Sequence, residues 1–143
     1  MKISANGLKK LIEWEGVVLH IYMDSAGLPT IGVGHLIQKG EDYSKGLTTT
    51  QAQDLLADDL QRFEEAVNES VTVLLDQNQY DTLVSFAFNV GVGAFRSSTL
   101  LKKLNAGDYT AVPEQLMRWT KAGGKPNDGL VARRKNEIKL WVA

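Results

Sequence analysis

Between Glu13 and Leu36 the chain reads EWEGVVLHIYMDSAGLPTIGVGHL, and this stretch constrains the fold more than any other. A helical pattern arrives at Glu15 and stops at Gly16, a residue suited to the left-handed position after a helix. Val17–Met23 follows with partial alternation (Val17, Leu19, Ile21, Met23), which reads as a strand. Asp24-Ser25-Ala26-Gly27 is turn chemistry. Leu28–Ile37 is a second extended segment, and Gly32 and Gly34 inside it mark a bulge or the close approach of another group. Glu15, Asp24 and Thr30 are thereby set on three different backbone geometries. Each gets its own environment, which is how neighbouring acids acquire different roles.

The flanking segments are helical. Ser4 can cap a helix over about residues 5–14, with Leu8, Leu11 and Ile12 on one face. Residues 38–46 form a polar loop. Thr48 with Gln51 makes a capping box, and the helix it starts, about 49–68, carries Leu55, Leu56, Leu60, Phe63 and Val67 at helical spacing. At 1.5 Å per residue it spans roughly 30 Å, enough for a strut between two lobes. Asp76 with Gln79 repeats the start signal for a helix through Tyr80, Leu83, Val84, Phe86 and Ala87, ending around Asn89 to Gly93. Ser98 or Thr99 caps a short helix that stops at Gly107. Another helix covers about 110–119, with Pro113 in its first turn. Residues 122–129 are a Gly/Pro/Asn/Asp loop, and 130–142 a basic amphipathic helix. Trp119 and Trp141 fit core positions.

Strands grouped together and helices grouped together indicate an α+β fold rather than alternating α/β. We expect one domain: a small antiparallel sheet lobe (about 17–47), the strut helix (about 49–68), and a larger helical lobe (about 76–143 plus the N-terminal helix). An extended substrate would bind in a cleft between the lobes.

The 143 residues include no Cys, which excludes disulfides and thiol chemistry. No apolar run approaches the roughly 20 residues of a membrane span. Lys2 is not followed by the apolar stretch of a secretory signal. These features lead us to expect a soluble chain without signal peptide or signal-anchor and without stable membrane association; a monomer is the default.

The formal net charge is −1, but residues 41–81 carry −8 and residues 82–143 carry +6. A basic C-terminal half can attract a polyanion or present a merely solvated surface. A nucleic-acid-binding helix-turn-helix would need an exposed polar recognition helix. The last helix instead carries Leu130, Val131, Ile138 and Trp141 as a core stripe, so no nucleic-acid partner is expected.

Glu15 stands at a helix C-terminus, where the dipole disfavours negative charge, and partial burial beside Trp14 would act in the same direction. A carboxyl held protonated is what a general acid requires. Asp24 in a polar turn stays ionised, and the Thr30 hydroxyl can orient a water. Acid, carboxylate and positioned water are the parts of an inverting glycoside hydrolase. Taken singly, each residue has a plainer reading: surface charge, Asx turn, strand hydroxyl.

The pattern Glu15-Gly16, Leu19, Tyr22, Asp24, Gly27 and Thr30-Ile31-Gly32-Val33-Gly34-His35 resembles the active-site signature of the phage-type lysozymes (endolysins), glycoside hydrolase family 24. In that signature Glu, eight residues, Asp, five residues and Thr follow in order. Phe88-Asn89-Val90-Gly91 resembles the segment lining the family's cleft floor. Gly129-Leu130-Val131-Ala132-Arg133-Arg134 with Glu137 resembles its C-terminal arginine helix. The likeness covers about residues 3–143.

The resemblance implies a lysozyme-like two-lobe fold. It also implies hydrolysis of the β-1,4 bond between N-acetylmuramic acid and N-acetylglucosamine in bacterial peptidoglycan, with host cell lysis as the outcome. Inversion is expected, with the carboxyls roughly 6.5–9.5 Å apart. No metal or cofactor is implied. Glu15 would be the proton donor, Asp24 would orient water and stabilise the anomeric carbon, and Thr30 would hold that water. Leu36, Phe88 and Asn89 would contact the glycan strand. His35 would be structural, paired with an acid across the strut helix, and Arg133 or Arg134 would pair with Glu15.

The implied setting is the host cytoplasm until a separate holin-type pore gives access to the periplasmic cell wall. Loops 38–46 and 122–129 match the family least and bear on substrate preference. The other readings are a non-catalytic peptidoglycan-binding module and a lytic transglycosylase. The latter has no use for an Asp/Thr water site.

Overall fold

The computed structural model describes residues 1–143. The chain is α+β with a helical majority and divides into two compact units, Leu8–Gln61 and Met1–Gly7 with Arg62–Ala143. No helix is long and apolar enough to cross a membrane.

The unit Leu8–Gln61 holds most of α1 (Ala5–Glu15), strands β1 (Val18–Met23), β2 (Pro29–Gly32) and β3 (His35–Leu36), and the first half of α2 (Thr49–Ser70). The strands form an antiparallel sheet in the order β1-β2-β3. Tyr22 pairs with Thr30 and Val18 with Gly32, with an irregularity between them; Thr30 then pairs with Leu36 and Ile31 with His35. The single extended segment expected over Leu28–Ile37 is thus two strands. Gly32 and Gly34 both adopt φ +70°, a conformation open to glycine at little steric cost, and the chain reverses there.

The capping box at α2 forms as expected: the Thr48 hydroxyl accepts from the Gln51 N–H at 3.1 Å, and the Gln51 carboxamide accepts from the Thr48 N–H at 2.8 Å. Ile31, Val33, Ala52, Leu56 and Leu60 are buried. The apolar alternation of β1 marks no buried face, since Val17, Ile21 and Met23 are all exposed.

The other unit holds the rest of α2, then α3 (Gln77–Val90), α4 (Val92–Ser97), α5 (Thr99–Asn105), a 3₁₀ turn (Tyr109–Ala111), α6 (Val112–Leu116), a hairpin of β4 (Lys121–Ala122) and β5 (Lys125–Pro126), and α7 (Asp128–Val142). Its core includes Tyr80, Leu83, Val84, Phe86, Phe95, Leu100, Leu104, Leu116 and Trp141, with α3 packed on α7. Trp119 is half-buried, its indole edge-on to Phe86 at 5.4 Å.

The N-terminal residues are tied into this unit by Asp81. Its carboxylate accepts from the Ser4 N–H at 3.0 Å and the Gln77 side chain at 2.8 Å, and from the Ser4 hydroxyl. Ser4 Oγ in turn accepts from the Gly7 N–H, as its reading as a helix cap requires.

The helix expected to end between Asn89 and Gly93 does so, breaking at Gly91 (φ 96°), but a further short helix, α4, follows at once. Two local readings are corrected. The loop 122–129 contains the β4–β5 hairpin, turned by Gly123 and Gly124 at φ +57° and +77°, a Gly-Gly pair suited to a tight hairpin. The last helix starts earlier than Leu130, because the Asn127 side chain accepts from the Leu130 N–H at 2.9 Å and caps it.

Candidate active site

Glu15 is the last residue of α1, and Gly16 follows at φ +76° with its N–H on Ile12 O at 2.9 Å. The position at the helix C-terminus is as expected. The partial burial is not, because Glu15 is exposed.

Asp24 opens the β1–β2 turn. Its Oδ1 accepts from the N–H groups of Ala26 and Leu28, both at 2.9 Å. Both bonds fall on Oδ1, so Oδ2 stays uncommitted. Thr30 lies on β2, 2% exposed, and its hydroxyl donates to Leu28 O at 2.8 Å. The Asp24 N–H donates to that same carbonyl at 2.9 Å. The Leu28 backbone therefore fixes the carboxylate and the hydroxyl together. With its proton given to Leu28, the hydroxyl offers only lone pairs, which can accept from a water.

His35 on β3 is clamped between two carboxylates. Nδ1 meets Asp59 of α2 at 2.8 and 3.0 Å, and Nε2 meets Glu41 at 2.9 Å. The acid expected on the far side of the strut helix lies instead on that helix, as Asp59. Burial works to lower the His35 pKa, but the hydrogen bonds and charges of Glu41 and Asp59 outweigh it, and the net direction is upward. Glu41 is held below the usual carboxylate range by the Gln38 N–H and then by His35. The Tyr43 phenol is pushed up to about 12 by burial and by Glu41. Leu36, next along β3, is exposed.

In the other unit Phe88 is half-buried, edge-on to Phe63 at 5.3 Å. Asn89 is exposed, and its carboxamide oxygen accepts from Arg134. Arg133 and Arg134 are 7% and 0% exposed and share Glu137, itself fully buried, with Arg134 Nη1 at 2.8 Å and Arg133 Nε at 3.4 Å. The Ser85 hydroxyl donates to Glu137 at 2.6 Å, and Arg133 donates to Ser85 O at 3.1 Å. Burial pushes the Glu137 carboxyl up and both guanidiniums down, against their mutual attraction. The Arg134 guanidinium also stands over the Phe86 ring at 5.1 Å.

Glu41, Tyr43 and Ser85 escaped the sequence reading. No periodicity flags a loop carboxylate, and a serine amid an apolar helix gives no sign of its partner. The three-residue spacing of Arg134 and Glu137 was the one readable signal, since such pairs share a helix face.

A protein-family model described as phage lysozyme matches residues 12–137. The endolysin of Salmonella phage P22 is 44% identical over 146 residues, covering all of this chain and 99% of that protein. The endolysin of Bacillus phage PZA is also 44% identical, but this chain spans 55% of its length. Among solved structures, a P22 lysozyme mutant superposes with a TM-score of 0.92 at 41% identity, covering 100% of this chain and 99% of that one. The muramidase domain of SpmX from Asticaccaulis excentricus follows at 0.90 and 34%, covering 99% and 98%.

Proposed function

This chain belongs to the phage lysozyme family, and on that premise we propose that Glu15, Asp24 and Thr30 hydrolyse the β-1,4 bond between N-acetylmuramic acid and N-acetylglucosamine in peptidoglycan, with inversion. The chain is an endolysin, a lysozyme-type glycosidase. The observation that carries the assignment is the Asp24–Thr30 turn: the backbone of one residue, Leu28, ties both side chains, its N–H to Asp24 and its carbonyl to Thr30, leaving Asp24 Oδ2 and the Thr30 lone pairs to hold a water.

In this reading Glu15 protonates the leaving oxygen, and the water attacks the anomeric carbon from the opposite face, its proton passing to Asp24. The Asp24 charge also stabilises the oxocarbenium-like transition state. Leu36 contacts the glycan through its exposed side chain. Phe88 and Asn89 are assigned glycan contacts as well, with Asn89 oriented by Arg134. His35 serves the structure, since both its nitrogens are occupied.

The whole chain acts as one catalytic domain and as a monomer, held in the host cytoplasm until a holin-type pore opens. Mass spectrometry of soluble fragments from purified peptidoglycan tests the reaction. Wild type is expected to release reducing-end N-acetylmuramic acid and Glu15→Gln none. Anhydro-muramic ends would instead make the chain a transglycosylase and leave Asp24 and Thr30 without roles.

A further inference from the structure

Both ring nitrogens of His35 face carboxylate oxygens, Nδ1 at 2.8 Å from Asp59 and Nε2 at 2.9 Å from Glu41. A neutral imidazole has one N–H and one lone pair, so only the doubly protonated ring satisfies both partners. Glu41 gathers more than the histidine. Its Oε1 also accepts from the Gln38 N–H at 2.6 Å, and its Oε2 accepts from the Tyr43 hydroxyl at 2.9 Å. The Tyr43 ring stands edge-on to the imidazole, with centroids 5.9 Å apart. The Gln38 side chain donates back to Leu36 O at 2.9 Å. One loop carboxylate therefore collects Gln38 and Tyr43 onto His35, directly beside Leu36.

The ends of this loop are fixed by other means. The Ile37 N–H donates to Pro29 O at 3.0 Å, and the Leu47 N–H donates to Leu19 O at 2.8 Å. Between those ends the backbone bonds are local, Glu41 N–H to Gln38 O at 3.1 Å and Gly46 N–H to Tyr43 O at 2.8 Å, and the contacts of residues 38–45 to His35 come from Glu41 and Tyr43. Asp59 sits within α2, whose backbone is held by its own hydrogen bonds, whereas Glu41 sits in the loop. If the imidazolium loses a proton, one carboxylate faces a lone pair, and the loop carboxylate is the one able to leave. The titratable groups facing the ring are Asp59 from α2 and Glu41 and Tyr43 from the loop.

We propose that Glu41 is a positioning residue that, through the His35 imidazolium, latches residues 38–45 beside Leu36 and makes glycan affinity depend on that proton. The inference rests on Leu36 being a glycan contact, as assigned above.

The test compares wild type, Glu41→Gln and Tyr43→Phe, using purified uncrosslinked glycan-strand fragments. KM and kcat are measured from about pH 6 to about pH 10, spanning the range in which a raised histidine titrates. Fragment binding is followed by calorimetry, and amide exchange is measured over residues 38–45. Glu41→Gln trades charge-assisted bonds for neutral ones, so its KM should rise about fivefold at neutral pH while kcat stays within about twofold. Exchange in 38–45 should quicken. Wild-type KM should climb towards the variant's value as pH passes the His35 titration seen by NMR. Tyr43→Phe should move the same readouts less.

Unchanged affinity and exchange in Glu41→Gln, or a fall in kcat at constant KM, would overturn the proposal. If wild type releases no products, the hydrolase reading fails alone, because binding and exchange still decide the latch.

Discussion

Replacing Glu137 by Gln removes one charge from a site where no water can replace it. Arg134 and Glu137 are both 0% exposed, with Nη1 and Oε1 2.8 Å apart, and Arg133 Nε lies 3.4 Å from the other carboxylate oxygen. Breaking a buried pair by neutralising one partner leaves the other charge desolvated, at a cost of about 3–5 kcal/mol. A Coulomb term of about 4 kcal/mol, for charges 4 Å apart at an effective dielectric of 20, has the same size. That is about a third of the stability of an ordinary domain, and it should lower Tm by about 10–15 °C in a chain of this length.

The matched control is Arg118→Gln. Its bridge to Glu114 has the same 2.8 Å separation, but the two side chains are 66% and 65% exposed, so its loss should leave the stability nearly unchanged. Urea unfolding at neutral pH measures both. The reasoning fails if Glu137→Gln costs less than about 1 kcal/mol, or if the two variants lose equal stability. A second check is Glu137→Gln combined with Arg134→Met. The pair should lose at least about 1 kcal/mol less than the sum of the single variants, because they share one interaction.

Other outcomes follow from single features of the structure. Glu15→Gln should reduce kcat on peptidoglycan by about 10²–10⁴; a variant retaining more than a tenth of wild-type kcat would remove Glu15 from its role. Gly46→Ala should cost about 2–3 kcal/mol, because φ is +74° and the new Cβ would lie 2.7 Å from Leu19 O; a loss under about 0.5 kcal/mol, read by calorimetry, would contradict the geometry.

The stability gap between wild type and Glu41→Gln should depend on pH with opposite signs on its two sides. His35 is raised from 6.5, so its contribution is full below that value and lost as pH rises through the raised pKa. Glu41 is lowered from 4.5, so its contribution is full above that value and lost as pH falls through the depressed pKa. Urea midpoints across pH should show the gap widest in between, and a gap independent of pH would refute the pairing. Residues 82–143 carry +6, so cell-wall lysis should slow as salt shortens the Debye length from about 10 Å at 0.1 M. A rate flat with salt would dismiss electrostatic docking.

The sequence alone determined what is local. A capping box is two side chains reaching backbone groups three residues away, so Thr48 with Gln51 and Asp76 with Gln79 were readable from spacing, and both formed. The Asp24 turn was readable for the same reason, because an Asx turn closes within a few residues. The grouping of strands ahead of helices was sufficient for the fold class.

Tertiary structure decided everything that required a partner distant in the chain. Asp59 was one acid among several on α2 until folding set it against His35, 24 positions away. Ser85 lay hidden in an apolar helix until α7 brought Glu137 to its hydroxyl across 52 positions. Burial was equally out of reach. Val17, Ile21 and Met23 alternate like an inner face yet are exposed, while Arg134 and Glu137, charged in the sequence, are fully enclosed. Periodicity reports which residues share a face. What covers that face is set by segments elsewhere in the chain, and spacing carries no record of them.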